Sequence, residues 1–321
     1  MNPSFVSIII PAYNCAATIK KTITAVLNQS YTPIELIVVD DGSKDSTAEI
    51  VRAFTNIQYI YQNNAGPAAA RNRGAREAKG EIVFFTDSDC FPLQDWIETA
   101  MAAFKDQGVH AVAGSYDIAN AESILSRCIH KEILFRHYKL MPLYPKAFGS
   151  YNVGIRKDVF EKVGGFNEGY RYASGEDNDL SYKILRGGYK IYFEKKAKVQ
   201  HVHQSNLWKY LKEQYRHGYW RAKLYKDHPW MTKGDDYTFW KDIIEPGLTL
   251  AIFVSVLFFI TAPAFFISLI FLLLCIEVFF SFLITDKFFE IIYSSFVMFL
   301  RSFARILGLS TGFITFFLRK T

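Results

Sequence analysis

The sequence has few cysteines and no large excess of one charge. Its four cysteines lie far apart, without a Cys-x-x-Cys pair, so reduced thiols in a cytosolic environment are expected. Lys and Arg number 37 against 31 Asp and Glu, a formal net charge of +6. The basic residues are spread along the chain, whereas nucleic-acid binding usually needs a concentrated basic stripe. No nucleic-acid partner is therefore expected.

The sequence also lacks internal repeats, low-complexity linkers and a basic N-terminal leader. Hydrophobic residues make up 50% of the chain and charged residues 21%, which excludes a disordered or collagen-like protein. Because no secretory signal is recognisable, we expect the first part of the chain to stay in the cytosol.

One long segment lacks charge almost completely. In Gly247–Ile284, 38 residues, Glu277 is the only charged residue. A single helix of that length would measure about 57 Å, against a hydrocarbon core of about 30 Å. Because Pro263 lies near the middle, the segment predicts a transmembrane helical hairpin over 246–285. Glu277 is either a functional acid at membrane depth or a side chain that reaches back to the surface.

The tail, residues 286–321, has a different pattern. Its charged residues fall within a narrow arc at 100° per residue, and its phenylalanines lie away from that arc. This predicts an amphipathic helix in the membrane interface, with a third crossing as the alternative. Arg301, Arg305, Arg319 and Lys320 favour the cytoplasmic side. We therefore expect a plasma (inner) membrane protein with its N-terminal domain on the cytoplasmic face.

The first ninety residues alternate between short β-branched runs and helical patterns. This alternation indicates βαβ units and a largely parallel sheet covered on both faces, an α/β fold. The predicted strands are Phe5–Ile10, Glu35–Val39, Ile57–Tyr61 and Glu81–Thr86, and the predicted helices are Thr18–Gln29, Thr47–Phe54 and Pro67–Lys79. Ligands of such sheets bind beyond the carboxyl ends of the strands. Three polar clusters fall there: Pro11–Asn14, Asp40–Ser43 and Asp87–Asp89.

Two of these clusters carry carboxylates suited to a nucleotide and a metal. Asp87 and Asp89 follow an apolar strand, and their oxygen atoms suit Mg²⁺ or Mn²⁺, although a solvated turn is the plainer interpretation of such a pair alone. Asp41 ends another strand, where a carboxylate can accept from a base N–H or a ribose hydroxyl. Helix capping by Ser43 or Asp45 explains part of the same cluster.

Two further groups complete the candidate site. Glu176 and Asp177 lie at the start of a predicted helix, where a carboxylate near a metal crevice could act as a general base and where a structural N-cap is the alternative. His201 and His203, two residues apart on a probable strand, share a face, and either could be a metal ligand or a phosphate contact.

Residues 5–205 resemble the inverting glycosyltransferases of family 2. The resemblance rests on six ordered motifs: VSIIIPAYN from Val6, ELIVVDDGS from Glu35, GPAAARNRG from Gly66, GEIVFFTDSD from Gly80, GGFNE from Gly164 and GEDNDL from Gly175. It implies a GT-A fold, with a nucleotide-sugar-binding, Rossmann-like mixed sheet, followed by C-terminal membrane helices. The implied activity is that of a metal-dependent, hexosyltransferase-like enzyme.

The resemblance also implies roles for individual residues. Pro11 and Tyr13 would border the nucleobase, Asp41 would bond to it, and Arg71 would lie near the diphosphate. Asp87 would contact the ribose or the metal, and Asp89 would hold the Mn or Mg ion. His201 is a further candidate metal ligand because of its place on the strand, not because of the resemblance. Asp177 would be the general base, with Glu176 beside it.

A last element, QYRHGYW from Gln214, is similar to the Gln/Arg/Trp element of membrane-bound members that build polysaccharides. Gln214, Arg216 and Trp220 are therefore candidate acceptor contacts, although Arg and Trp are adjacent in the processive enzymes and separated here. For Trp220 the alternative is an aromatic anchor at the membrane interface.

The expected organisation has four parts: a catalytic domain (1–205), an aromatic and basic juxtamembrane segment (206–245), the hairpin and the tail. The expected reaction moves a sugar, with inversion, from a nucleotide diphosphate-sugar to a hydroxyl of a lipid-linked or polysaccharide acceptor, at a lipid membrane. The alternatives are transfer onto polyprenyl phosphate and a non-catalytic nucleotide-sugar-binding scaffold.

Overall fold

The computed structural model describes residues 4–236 and 238–318. The chain divides into two compact units. Unit 1 comprises Met1–Ala119 and Met141–Val202, and unit 2 comprises Asn120–Leu140 and His203–Thr321. The break after Val202 lies close to the predicted boundary at 205. The assignment of Asn120–Leu140 to unit 2 differs from the predicted organisation, which placed that stretch in the catalytic domain.

Unit 1 is built on one eight-stranded sheet in the order β3-β2-β1-β4-β7-β6-β8-β5. The strands are β1 Val6–Ala12, β2 Ile34–Asp40, β3 Gln58–Tyr61, β4 Ile82–Thr86, β5 Cys90–Pro92, β6 Ala111–Ile118, β7 Asn152–Arg156 and β8 Ile191–His201. Strands β1 to β4 pair in parallel, whereas β7 runs antiparallel to both β4 and β6. The expected Rossmann-like mixed sheet is confirmed, and its parallel half is the part that the sequence predicts most closely.

The helices of unit 1 connect these strands. They are α1 Ile19–Leu27, α2 Thr47–Arg52, α3 Pro67–Glu77, α4 Trp96–Ala103, α6 Lys157–Lys162 and α7 Glu176–Arg186. Successive residues of β1, such as Ile8 and Ile9, are fully buried because both faces of the sheet are covered. Helix α3 lies close to the sheet at Gly74, where an added Cβ would come within 2.5 Å of Ile9 Cγ2.

Unit 2 is helical in its described residues. Its helices are α5 Ile124–Phe135, α8 Leu207–Asp227, α9 Trp240–Ser255, α10 Pro263–Ile284 and α11 Phe288–Phe313. The predicted break near Pro263 is present, because α10 begins at that residue. Helix α9, however, begins at Trp240, before the predicted hairpin. Judged by length and composition alone, Pro263–Ile284 and Phe288–Leu318 could each span a membrane.

Glycines bring α8 and α11 into close contact. An added Cβ would lie 2.1 Å from Arg305 O at Gly218, 1.9 Å from Tyr215 O at Gly308 and 2.3 Å from Tyr219 O at Gly312. These distances leave no room for a side chain, so the two backbones touch along the second half of α11. Arg319 and Lys320, which the sequence assigns to the cytoplasmic side, lie outside the described residues.

Candidate active site

The carboxyl ends of β1 and β2 are joined by hydrogen bonds between their loops. The Asn14 N–H donates to Ser43 Oγ at 3.0 Å, and the Lys44 N–H donates to Asn14 Oδ1 at 2.8 Å. Tyr13, in the first of these loops, is 50% exposed, and Pro11 is half-buried. The two predicted nucleobase neighbours therefore lie at the edge of the sheet at which ligands of this fold class bind.

Asp41 is buried and accepts four hydrogen bonds from its own unit. Its donors are Gln62 Nε2, Asn64 Nδ2 and the backbone N–H groups of Ala65 and Gly66, at 2.7 to 3.1 Å. A carboxylate has about four acceptor positions, so all of them are engaged. A nucleobase contact by Asp41 would require one of these donors to move. In this arrangement the carboxylate organises the loop that leads into α3.

Arg71 holds two carboxylates that are far apart in sequence. Its Nη2 lies 2.6 Å from Asp87 Oδ1, and its Nη1 lies 3.0 Å from Glu176 Oε1. The residue is only 1% exposed. Burial disfavours the guanidinium, but Asp87 and Glu176 outweigh it and raise the pKa of Arg71. Arg71 is thus enclosed and paired with two carboxylates, and a place near a diphosphate stays a prediction.

Glu176 and Asp177 open α7 after Gly175, which has φ +91°. Burial and the neighbouring Asp177 charge raise the pKa of Glu176 to about 7. Burial also raises the pKa of Asp177, whose Oδ1 accepts from the Asn178 N–H at 2.8 Å. Asp177 itself is half-buried, whereas Glu176 is buried. Of the two carboxylates, Asp177 is the more accessible, and Glu176 is held by its ion pair with Arg71.

A set of metal-ligand side chains lies where β5 meets β8. Asp89 Oδ1 is 3.7 Å from His201 Nε2, and the Cys90 thiol completes a group whose ligand atoms all lie within 4.8 Å of one another. Carboxylate, imidazole and thiol are all metal ligands, and the Asp89 side chain remains 41% accessible. These residues fit a divalent cation. Asp87, the other predicted ligand, is paired with Arg71 instead.

The two predicted histidines separate at the end of β8. His201 is the last residue of the strand and lies beside Asp89, whereas His203 belongs to unit 2, where its Nε2 is 3.3 Å from His130 Nδ1. The two side chains do not share the strand face that their spacing predicted, because β8 ends at His201. Of the two, His201 is the one that the structure brings to the carboxylate.

Two residues of this site were not singled out from the sequence. Cys90 is fully buried, and burial raises the pKa of its thiol well above the ordinary value. Asn72, next to Arg71 on α3, donates to Phe166 O and Glu168 Oε1 and accepts from the Phe166 N–H. Asn72 therefore joins two of the family motifs. The occurrence of both motifs in one sequence was the signal from which this contact could have been predicted.

The predicted acceptor residues lie in unit 2. Gln214 is buried and accepts from Arg305 Nε at 2.8 Å, and the Trp220 ring, 8% exposed, lies 5.7 Å from the Phe316 ring. Arg216 is half-buried on the same helix. Gln214 packs against α11 and Trp220 against the π-helical segment Ile314–Leu318 that follows it, and an acceptor contact by these residues stays a prediction.

Comparison with known proteins agrees with this geometry. The profile described as Glycosyl transferase family 2 matches residues 7–164, and that of the N-terminal domain of galactosyltransferase matches residues 130–205. The chain is 32% identical over 196 residues to glycosyltransferase AglE of Haloferax volcanii, covering 59% of this chain and 64% of that protein. It is 30% identical over 253 residues to an uncharacterized glycosyltransferase, RP339, of Rickettsia prowazekii, covering 74% and 78% respectively.

A second enzyme, the pre-mycofactocin glycosyltransferase of Mycobacterium tuberculosis, is 29% identical over 234 residues, which are 70% of this chain and 48% of that protein. The matches thus span less than two thirds of AglE and of the mycobacterial enzyme. Among solved structures, the mannosyltransferase PcManGT from Pyrobaculum calidifontis has a TM-score of 0.63 at 18% identity, over 95% of this chain and 86% of that one. That likeness shows the fold. With its mixed sheet, its motif-bearing strand ends and these relatives, the chain belongs to glycosyltransferase family 2.

Proposed function

We propose that this glycosyltransferase is membrane-associated and transfers a sugar, with inversion, from a nucleotide diphosphate-sugar to a hydroxyl of a lipid-linked or polysaccharide acceptor. The observation that carries the proposal is the convergence of Asp177, Glu176, Arg71 and Asp87 on one side and of Asp89 and His201 on the other, all within unit 1. Both parts of a displacement reaction, a base and a leaving-group site, are thereby available.

Asp177 is the proposed general base. Its raised pKa makes it a better proton acceptor than an ordinary aspartate when it is ionised. It would take the proton of the acceptor hydroxyl as the new glycosidic bond forms and the bond to the diphosphate breaks. A single displacement of this kind inverts the anomeric centre.

Arg71 is the proposed positioning residue. It pairs with Glu176 beside the proposed base and with Asp87 at the end of β4, and these ion pairs would hold both carboxylates in a fixed orientation. The Asp87 side chain is 30% accessible, and it is proposed to contact the ribose of the donor or the divalent cation. Pro11, Tyr13 and Asp41 are proposed to form the nucleobase end.

Asp89 and His201 are the proposed ligands of a divalent cation, Mn or Mg. When bound, such an ion neutralises negative charge on a leaving diphosphate. PcManGT was solved in complex with GDP-Man and Mn²⁺, and GalNAc-T7, at a TM-score of 0.50, with UDP, GalNAc and Mn²⁺. These neighbours support a nucleotide-sugar donor and a divalent cation for this chain.

Two alternatives follow from other outcomes. Formation of a sugar-phosphate lipid from bare polyprenyl phosphate would change the acceptor class but keep the base and the metal site. A non-catalytic scaffold would bind nucleotide sugars without transfer or hydrolysis. The paired Glu176 and Asp177 favour an enzyme, since a scaffold has no use for a base with a raised pKa.

The test compares Asp177→Asn with Asp89→Asn. We expect Asp177→Asn to lower transfer roughly 10²- to 10⁴-fold, the usual contribution of a general base, while Mn²⁺-dependent stabilisation by nucleoside diphosphates survives. Asp89→Asn should remove that stabilisation as well. The measurements are a donor-panel transfer assay and thermal unfolding with and without Mn²⁺ and nucleotide.

Asp158→Asn is the matched control, because Asp158 is an exposed acid of α6, next to the start of β4 and so at the opposite end of that strand from Asp87. It should leave both readouts unchanged. Full transfer by Asp177→Asn would refute its role as the base. No transfer by the unmutated protein across a broad donor panel, with nucleotide binding intact, would favour the scaffold.

A further inference from the structure

The connection between α9 and α10 is apolar and exposed. Helix α9 runs on into a 3-10 turn, Val256–Phe258, and α10 starts at Pro263. Between them Leu257 is 81% exposed and Ile260 is 95% exposed. No charged residue occurs between Glu245 and Glu277. A connection that crossed the membrane would place these side chains in water on the far side.

The backbone of this connection is adapted to an apolar environment. The N–H groups of Phe259, Thr261 and Ala262 donate to carbonyls of Val256 and Phe258, and the Thr261 hydroxyl donates to Phe258 O. In hydrocarbon a backbone polar group must find its partner within the protein. The connection meets that requirement for these groups with its own short-range bonds.

Two aromatic contacts show that α9 and α10 form an antiparallel hairpin. Trp240 and Phe279 lie 6.3 Å apart at the open end, and Phe259 and Phe266 lie 5.2 Å apart at the closed end. Residues 256–262 are called the tip below. The charged residues of the hairpin are therefore all at the end away from the tip.

A buried ionic layer marks that end. Lys241 Nζ lies 2.9 Å from Glu277 Oε2 and also pairs with Glu245, and all three side chains are nearly inaccessible. From Glu277 to Pro263 the helix rises about 21 Å, and from Glu245 to Phe258 about 20 Å. Both arms are shorter than a hydrocarbon core of about 30 Å. A hairpin whose ionic layer stays at the interface cannot reach the opposite face.

Helix α11 is tied to a charged neighbour. Its second half contacts α8 through Gly308 and Gly312, and Lys226 Nζ donates to Phe316 O at 2.6 Å. At the same level α8 carries the exposed Arg221 and Lys226. Carrying α11 across the bilayer would draw these charges into hydrocarbon, where each costs several kcal/mol. The exposed phenylalanines of α11 instead suit an interface.

We infer that unit 2 is monotopic: the α9–α10 hairpin enters the bilayer with its tip and returns to the same side, while α8 and α11 lie in the interface. This rests on the membrane association proposed above and specifies its geometry. The occupant of the exposed apolar surface is lipid. The two arms of the hairpin rise about 20 to 21 Å above the ionic layer, which is about two thirds of the thickness of a hydrocarbon core. This length allows the tip to insert into the bilayer but not to cross it.

The first test places a charge at the tip. Ile260→Lys should weaken binding to vesicles of mixed neutral and anionic phospholipid by roughly a hundredfold, because a lysine deep in hydrocarbon costs about 3 kcal/mol. Ala121→Lys, which adds the same charge at an exposed position of unit 2, is the control and should bind at least as well as the unmutated chain. A tip that reached water on the far side would tolerate the lysine. Undiminished binding of Ile260→Lys would therefore overturn the inference.

The second test locates residues by labelling with a membrane-impermeant maleimide. In full-length protein with Cys15 and Cys275 replaced, Cys90 and Cys128 are buried and should not react. Lys209→Cys and Asp227→Cys, about 27 Å apart along α8, should both label in inverted bacterial membrane vesicles and neither in intact cells. Ile260→Cys should label only after detergent. Labelling of Ile260→Cys in intact cells, or of Lys209→Cys and Asp227→Cys from opposite sides, would show a crossing.

These readouts do not depend on turnover. If the chain transferred no sugar, binding and labelling would still report the topology. If the labelling showed a crossing while Asp177→Asn still abolished transfer, the monotopic geometry would fail and the proposed reaction would stand. A chain released from membranes by salt alone would overturn both the insertion and the membrane part of the proposed function.

Discussion

Unit 1 and unit 2 both bury charged side chains, but they leave different groups accessible. In unit 1 Arg71 pairs with the buried Glu176 and with Asp87, whose side chain is 30% accessible, and the nearby Asp89 side chain is 41% accessible. In unit 2 Lys241, Glu245 and Glu277 are closed on one another, and the surface around them is apolar. The unit 1 arrangement leaves two carboxylates partly accessible to a ligand, whereas the unit 2 ion pairs join α9 to α10.

The difference shows that a buried charge does not by itself identify a site. Burying an ion pair gives little net stability, but removing one partner of a buried pair typically costs about 3–5 kcal/mol. Both arrangements should therefore be sensitive to mutation. If the proposed function holds, mutations in unit 1 should lower sugar transfer as well as stability, whereas mutations in unit 2 should lower stability alone.

The largest effect is expected for Arg71→Met. It leaves Glu176 buried without its partner, so unfolding should become easier by about 3–5 kcal/mol, and transfer should be lost because Asp87 and Glu176 lose their orientation. Arg73→Met on the same helix is the control, since Arg73 is exposed and its ion pair is with the exposed Glu77. Urea unfolding and transfer assays check both. Normal transfer per folded molecule would remove Arg71 from the proposed mechanism.

Lys241→Met tests the closed arrangement. It leaves Glu245 and Glu277 facing one another, and we expect a destabilisation of about 3 kcal/mol. Transfer per folded molecule should stay within about twofold, because the residue belongs to unit 2 and not to the catalytic cluster. Lys233→Met, at an exposed position, should change neither quantity. A selective loss of transfer with normal thermal unfolding would contradict the distinction between the units.

The sequence predicted unit 1 better than unit 2, for a physical reason. Strands β1, β2 and β4 are continuous apolar runs that end in turn residues, so local pattern defines both the strand and the polar cluster behind it. Strand β7 was missed because its Asn and Gly residues do not favour a strand. Gly154 is required there by the Phe84 ring, which an added Cβ would approach within 2.5 Å.

Contacts between distant residues lay outside what local pattern predicts. Arg71 and Glu176 are 105 positions apart, and only the family resemblance indicated that they share a site. The assignment of Asn120–Leu140 to unit 2 depends on packing with α10 and α11, which has no local signature. The predicted break near Pro263 is present, because α10 begins there. The ionic layer could not be predicted from local pattern, because it joins Lys241 of α9 to Glu277 of α10.

A smaller effect is expected at the α8–α11 contact. Gly308→Ala would place a Cβ 1.9 Å from Tyr215 O, so the helices must separate, at a cost of about 1–3 kcal/mol. Gly247→Ala is the matched control, since no atom of the described residues lies within 4 Å of a Cβ added there. It should stabilise α9 by about 0.4–1 kcal/mol. Thermal unfolding in detergent compares the two. Equal midpoints for both variants would show that the glycine contact is not tight in solution.

The smallest effect is expected in the pH dependence of transfer, which distinguishes the ionisation of Asp177 from that of Glu176. A general base works only when ionised, and burial raises the pKa of Asp177, so kcat/KM should fall by about tenfold per pH unit below that pKa. The fall should begin at a higher pH than an ordinary aspartate would give. Burial and the charge of Asp177 raise the pKa of Glu176 to about 7, so the ionisation of Glu176 is coupled to that of Asp177.

Glu176→Gln removes one of these charges and keeps the shape of the side chain. Since Glu176 is the group whose pKa the Asp177 charge raises to about 7, the neutral amide should remove the titration near pH 7 and leave the acidic limb that belongs to Asp177 in place. The maximal rate should fall only modestly, because the amide can keep one contact to Arg71. An acidic limb that moved to lower pH in the variant would mean that the Glu176 charge, and not burial, holds up the pKa of Asp177.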